Sequence, residues 1–113
     1  MTGMTVHDLT QSLDAGDVVH QNVADLIEGD GIHDLACRAV FKLGEELPRL
    51  IHKLNSGKSI PKMEHTTTGR LWRTKDWRPD HLRLVYKIYN DRIVDHFLKG
   101  EFEEKEPVLH RQF

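Results

Sequence analysis

Residues 32–43, IHDLACRAVFKL, decide the fold of this chain. The apolar residues of this stretch recur at three- and four-residue spacings, which match the turn of an α-helix. One helical stripe carries Ile32, Leu35, Ala36, Ala39, Val40 and Leu43. The pattern predicts an amphipathic helix whose stripe packs into the core. A tight turn is expected just before it, at Gly29-Asp30-Gly31.

The helical pattern continues beyond this stretch but is interrupted. Gly44 suits the position after a helix end, and Pro48 costs about 3 kcal/mol inside a helix but is tolerated in a first turn. The apolar phase nevertheless continues through Leu47, Leu50, Ile51 and Leu54. We therefore expect a break and two closely coupled helices, rather than one kinked helix, with an end at residues 55–57.

Two shorter helices are expected before this region and one longer helix after it. Residues 5–13 and 18–28 each follow an N-capping residue and carry apolar side chains at helical spacing. The longest helix is expected over residues 79–99, where Gly100 supplies the stop. The charged residues 101–113 are expected to form an extended arm.

The predicted fold is all-α, a single small domain of four or five helices over residues 1–100. Residues 58–74 lack a helical period, so they form either a long loop or a short β-hairpin, a wing, around residues 59–73. No stretch approaches the roughly 18 uncharged residues of a membrane span, and the start lacks the features of a signal peptide. With the lone cysteine, Cys37, these features predict a cytoplasmic protein.

The charge of the chain is distributed unevenly. Residues 49–87 hold ten of the 16 Lys and Arg residues and only three carboxylates, a net charge of +7. Residues 1–48 sum to −7 and residues 88–113 to −2, so the overall −2 conceals a strong dipole. A basic segment with aromatic residues among its charges can bind phosphates and stack on bases.

This basic segment is the strongest functional signal in the sequence. Arginine matches phosphate oxygens with two parallel hydrogen bonds, and an exposed tryptophan can stack on a base. The predicted nucleic-acid-binding residues are Arg70, Trp72, Arg73, Lys75, Trp77, Arg78, Arg83 and Lys87. The expected function is that of a small regulatory or accessory protein that binds nucleic acid, DNA in particular, without catalysis.

Part of the same segment resembles a known family. Residues 59–76, SIPKMEHTTTGRLWRTKD, with LRL at residues 82–84, resemble the wing and following helix of MerR-type winged-helix DNA-binding domains. The match covers less than a third of the chain and lacks the aromatic residue usual between the glycine and the arginine. The resemblance implies a basic hairpin and DNA as the ligand.

A protein-interaction module is the alternative function. In this interpretation the protein is a homodimeric adaptor or an inhibitor, its acidic and basic surfaces select the partner, and its apolar helical faces provide affinity. The basic residues would then pair with N-terminal acids of the same chain or a second copy, or with an acidic surface of another protein.

Catalysis and metal binding have little support in the sequence. His33 and Cys37 lie one helical turn apart, but zinc needs three or four protein ligands and nothing completes the set. Asp91, Asp95 and His96 form a remote acid–base candidate without a nucleophile beside them. We expect no enzyme activity, no cofactor and no metal site.

Overall fold

The computed structural model describes residues 3–12, 15–57, 59–65, 74–102 and 108–113. Two β-strands precede three α-helices, with a short 3₁₀ turn before the second helix. The strands are β1 (Gly3–His7) and β2 (Val18–Val23), the helices are α1 (Ile32–Asn55), α2 (Pro79–Ile88) and α3 (Ile93–Leu98), and the 3₁₀ turn spans Thr74–Asp76.

The predicted all-α fold with four or five helices is wrong. The described residues form a small α+β fold, with three α-helices and one two-stranded antiparallel sheet. Strands β1 and β2 occupy positions where helices were expected, at residues 5–13 and 18–28. Five of the six residues of β2 are buried, so the strand lacks the apolar–polar alternation that would have indicated it. Its β-branched valines favour the extended backbone.

Strand β2 lies at the centre of the backbone hydrogen bonding in this part of the chain. It pairs with β1 in antiparallel register, from Gly3 opposite Val23 to His7 opposite Val18. Val18 also exchanges both backbone hydrogen bonds with Met63, at 2.7 and 2.9 Å. Residues 59–65 therefore run beside β2. The rest of the predicted wing, residues 66–73, lies outside the described residues.

Helix α1 is continuous, so the expected break near Gly44 is wrong. Pro48 lies inside the helix, where it cannot donate the backbone hydrogen bond that the carbonyl of Gly44 would accept. Both residues lie on an exposed side of α1, where water can satisfy that carbonyl. The predicted start after Gly31 and the predicted end at residues 55–57 are confirmed.

The apolar core is small and uses only part of the predicted stripe. A cluster of buried side chains joins the segment just after β2 to α1 and α3. It comprises Ala24, Leu35, Ala39 and Val94, with Met4, Leu26 and Ile93 packed against it. Leu50 is also buried. The prediction that the whole stripe is core is wrong, because two of its six residues, Ala36 and Val40, are exposed. Leu47, Ile51 and Leu54, which continue the apolar phase, are exposed as well.

The single helix expected over residues 79–99 is divided into α2 and α3. Asn90 and Asp91 between them adopt left-handed backbone conformations, with φ of 49° and 55°. Asn and Asp tolerate this conformation better than other side-chain-bearing residues, which explains a break without glycine or proline. The predicted stop is confirmed, since α3 ends just before Gly100, whose φ is 77°.

Two carboxylates hold α3 against the start of α1. Asp91 accepts a hydrogen bond from the Ile32 backbone N–H at 3.0 Å, and Asp95 accepts one from Gly29 at 2.7 Å. A side chain at Gly31 would place its Cβ only 2.3 Å from the Asp91 carboxylate, so this close approach requires glycine. The left-handed Asp91 thus caps the positive end of α1.

Candidate nucleic-acid interface

Five of the eight predicted nucleic-acid-binding residues lie in the described part of the chain. Lys75, Trp77, Arg78, Arg83 and Lys87 are all exposed, and we refer to them together as the basic surface. The other three, Arg70, Trp72 and Arg73, lie outside the described residues.

The start of α2 organises the first half of the basic surface. Pro79 begins the helix, which leaves Arg78 as an extended N-cap residue whose backbone N–H donates to His81 Nδ1 at 3.2 Å. Trp77 precedes it with 59% of its surface exposed, and its ring centroid lies 5.3 Å from that of His81. One part of the indole therefore lies against His81, and the rest of its surface is open to solvent.

The second half of the basic surface lies along α2 itself. Arg83 and Lys87 stand one helical turn apart, so their cationic groups lie on the same side of the helix. Arg83 Nη1 is 3.9 Å from Asp80 Oδ1, and both side chains are largely exposed, so solvent screening leaves this pair weak. Within the described ranges, Lys75, Arg78 and Lys87 take part in no ion pair.

Two acidic residues of the N-terminal range, residues 1–48, have cationic partners within the same range. Arg38 forms a two-pronged hydrogen bond with Asp30, and this contact is the largest cause of the lowered pKa of the Asp30 carboxyl. Lys42 Nζ lies 3.4 Å from the Asp25 carboxylate. These acids therefore do not neutralise the basic surface. Among the described cations of residues 49–87, Lys62 does pair with an N-terminal acid, at 2.8 Å from Asp8.

Apolar side chains lie beside the cations on α2. No residue of this helix is buried, and Leu84 and Ile88 are 50% and 66% exposed. Their spacing places Leu84 and Ile88 on one side of α2, next to the side that carries Arg83 and Lys87. The basic surface thus combines cations with exposed apolar groups, the two chemical elements of a surface that binds a charged backbone and stacks on bases.

A buried polar cluster links β2, α1 and the C-terminal residues, and the sequence gave no sign of it. Glu46 Oε2 lies 2.9 Å from His20 Nε2 and accepts a hydrogen bond from Asn22 at 2.8 Å. The Gln112 backbone N–H donates to His20 Nδ1 at 3.2 Å, which places the ring proton on Nε2. Since His20 is 1% exposed, this cluster is closed to a ligand.

The charge of Glu46 is stabilised within this cluster. Burial alone would raise the pKa of the Glu46 carboxyl, but hydrogen bonds from His20 and Asn22 and the nearby charge of Lys42 outweigh it, so the pKa is lowered from 4.5. Nothing in the sequence marks His20 and Asn22 as buried, because polar Gln21 stands between them and removes any apolar–polar alternation.

The remaining acid–base candidates have structural partners. The carboxylates of Asp91 and Asp95 accept backbone hydrogen bonds at the start of α1, as described above. His96 Nδ1 contacts the Glu101 carboxylate. Within the described residues, no group of three or more His, Cys, Asp or Glu side chains is arranged to hold a metal ion.

Residues near the C-terminal end contact the last turns of α1. The Phe113 ring lies 4.1 Å from the Arg49 guanidinium and 5.3 Å from Lys53 Nζ. Together with Pro48 and His52 these residues line a cavity of about 450 Å³. Phe113 thus packs on α1, and Gln112 contacts β2. The arm expected over residues 101–113 lies partly outside the described residues and stays a prediction.

Comparison of the chain with protein-family models, with curated proteins and with solved structures found no match. Among the helices described here, none is both long and apolar enough to cross a membrane.

Proposed function

We propose that this protein is a small regulatory or accessory protein that binds nucleic acid, without catalysis, through the basic surface around α2. The observation that carries the proposal is the pairing of Asp30 with Arg38 and of Asp25 with Lys42, both inside the acidic residues 1–48. No acid of residues 1–48 that the structure describes forms an ion pair with the basic surface, so its exposed cations keep their charge available for an external anion.

The contacts follow from the chemistry of each side chain. Arg78 and Arg83 offer planar guanidinium groups that bond two phosphate oxygens at once, while Lys75 and Lys87 act as point charges. Trp77 supplies an accessible aromatic ring on which an unpaired base can stack. This combination favours single-stranded nucleic acid, or a duplex with unpaired bases, as the ligand. Arg70, Trp72 and Arg73, which precede this surface in sequence, stay predicted contacts.

We place this activity in the cytoplasm. The thiol of the lone cysteine, Cys37, is free and exposed, which suits a reducing compartment.

Salt dependence of binding tests the proposal. A fluorescent single-stranded oligonucleotide is titrated with the full chain over a series of salt concentrations. If the four cations of the basic surface neutralise four phosphates, log affinity falls with log salt at a slope of about −3 for a single strand. A slope near zero, or no binding at low salt, contradicts the proposal.

A pair of lysine variants gives the matched control. Lys87→Ala removes one cation of the basic surface and is expected to reduce the magnitude of the slope by about 0.7. Lys99→Ala removes the same charge from the exposed end of α3, outside the surface, and is expected to leave the slope unchanged. Equal effects of the two variants would show that only net charge matters and would contradict the assigned site.

A second candidate function, protein interaction, is favoured by one observation. The exposed part of α1 carries an apolar stripe that the described residues do not cover. The next subsection proposes a partner for it.

A further inference from the structure

Helix α1 carries one broad apolar stripe, and the described residues bury only part of it. The exposed part has alternating spacings of three and four residues. It consists of Cys37, Val40, Gly44, Leu47, Ile51 and Leu54, which we call the α1 seam. The larger side chains of the seam are between 39% and 58% exposed. This spacing is that of the contact positions between two supercoiled helices.

We propose that the α1 seam is a homodimer interface, at which two copies of α1 pack against each other. This inference is independent of nucleic-acid binding.

The charge distribution around the seam favours a second copy over a partner of different chemistry. The residues that flank a helical seam decide which helices can approach it. On one side they are Phe41, Pro48 and Asn55, and on the other Ala36, Leu43 and Leu50, all uncharged. Two identical helices can therefore meet along the seam without repulsion, whereas a charged partner surface would find no complementary group.

The glycine at the centre of the seam also indicates close approach of another helix. Gly is the least favourable helix residue after proline, and a Cβ at Gly44 would find no atom within 4 Å in this chain. The chain's own packing therefore gives no reason for a glycine here. A small residue at a helix crossing lets the facing backbone or a large side chain come close, and Leu47 or Ile51 of a second copy could fill this space.

The exposed area of the chain is sufficient for such a dimer. A compact monomer of 13.1 kDa exposes roughly 6,400 Å². This chain exposes 8896 Å², which exceeds that value by about 2,500 Å². A stable interface of standard size needs about 800 Å² from each partner. The radius of gyration, 16.3 Å against about 13 Å for a compact domain of this length, agrees with an incompletely packed single copy.

The test is the mass of the full chain in solution, measured by size-exclusion chromatography with light scattering after nuclease treatment. The expected result is twice 13.1 kDa for the unaltered protein. Ile51→Glu places a charge in the middle of the seam and is expected to weaken the dimer roughly 30-fold or more, which yields the monomer mass. Leu9→Glu, at a position 95% exposed and outside the seam, is the matched control and is expected to remain dimeric.

A second measurement keeps the test valid if the variant fails to fold. The thermal midpoint of the unaltered dimer is expected to rise with protein concentration, because association stabilises the folded state by mass action. A monomer mass at every concentration together with a constant midpoint would overturn the proposal, as would an Ile51→Glu protein that folds and stays dimeric. If another protein covers the seam, the purified chain is monomeric, which also overturns it.

Discussion

The hairpin–α1 region, which comprises β1, β2 and α1, and the α2–α3 region, residues 74–102, are held in place by different forces. The first contains fully enclosed side chains such as Val18, Ala39 and Leu50, each 1% exposed. In the second, Val94 is the single buried residue among those described, and α2 buries none. The α2–α3 region is attached to the start of α1 by hydrogen bonds that involve Asp91, Asp95 and Tyr86.

This difference assigns folding stability to one region and the proposed binding to the other. Burial of apolar side chains supplies most of the folding free energy, so the hairpin–α1 region should determine whether the chain folds. The α2–α3 region can expose cations and an aromatic ring because its own stability contribution is small. Substitutions in the two regions should therefore affect different measured quantities.

The largest effect is expected at Leu50. Leu50→Ala leaves a cavity at a site that is 1% exposed, and the free energy of unfolding should fall by about 2–5 kcal/mol. Leu84→Ala makes the same truncation on α2 at a 50% exposed site and should change it by less than about 0.5 kcal/mol. Urea unfolding monitored by circular dichroism measures both. Similar losses for the two variants would remove the distinction between the regions.

A smaller effect, with a pH signature, is expected at Glu46. Glu46→Gln weakens the bonds to His20 and Asn22 and should cost about 1–3 kcal/mol near neutral pH. The folded-state pKa of Glu46 lies below 4.5, so its charge stabilises the fold above that pH, and this contribution is lost as the pH falls through the folded-state pKa. The stability difference from the unaltered protein should therefore shrink in acid. The neighbouring exposed Glu45→Gln is the control.

If Glu45→Gln and Glu46→Gln gave the same stability at each pH, the buried cluster would contribute nothing beyond an ordinary surface charge.

Weakening the connection between the two regions should lower the free energy of unfolding by about 1 kcal/mol. Asp91→Ala removes the acceptor for the Ile32 N–H and places alanine in a left-handed conformation. Hydrogen exchange should accelerate at the start of α1 and in α3, while β2 stays protected. Asp91→Asn keeps both an oxygen acceptor and tolerance of that conformation, so it should exchange more slowly than Asp91→Ala. Faster exchange in β2 would show that the regions unfold together.

The smallest effect on stability is expected at Trp77. Trp77→Ala removes a side chain that is 59% exposed, so the free energy of unfolding should change by less than about 1 kcal/mol. Affinity for a single-stranded oligonucleotide should nevertheless fall by roughly fivefold to a hundredfold, because a stacking platform is lost. Trp77→Phe should retain part of the affinity. A large loss of stability with unchanged affinity would show that Trp77 stabilises the fold and does not bind the oligonucleotide.

The sequence predicted those elements whose ends carry their own local signals. The start of α1 after Gly31, its end before Gly57 and the stop at Gly100 were all indicated by glycines, two of which adopt positive φ. The exposure of Arg83 and Lys87 follows from the sequence pattern, because charged residues on an amphipathic helix favour the solvent side. Their binding role stays a prediction.

The elements that were missed depend on distant contacts. Val19 and Val23 happen to match a helical spacing, but the pairing of β2 with β1, and of Val18 with Met63, decides that they belong to a strand. The αL break at Asn90 and Asp91 follows from the capping of α1, which is 59 residues away in sequence. Periodicity also could not show that Val40 and Ile51 remain exposed, because the period marks an apolar stripe and says nothing about its partner.

Chemical-shift mapping tests the central claim most directly, because it reports every described residue in one experiment. Isotope-labelled protein is titrated with a short single-stranded oligonucleotide at low and at high salt. The account predicts shifts concentrated at residues 74–88 that disappear at high salt, with β1 and β2 unchanged. Shifts centred on β2 or the C-terminal half of α1, or an absence of shifts at low salt, would contradict it.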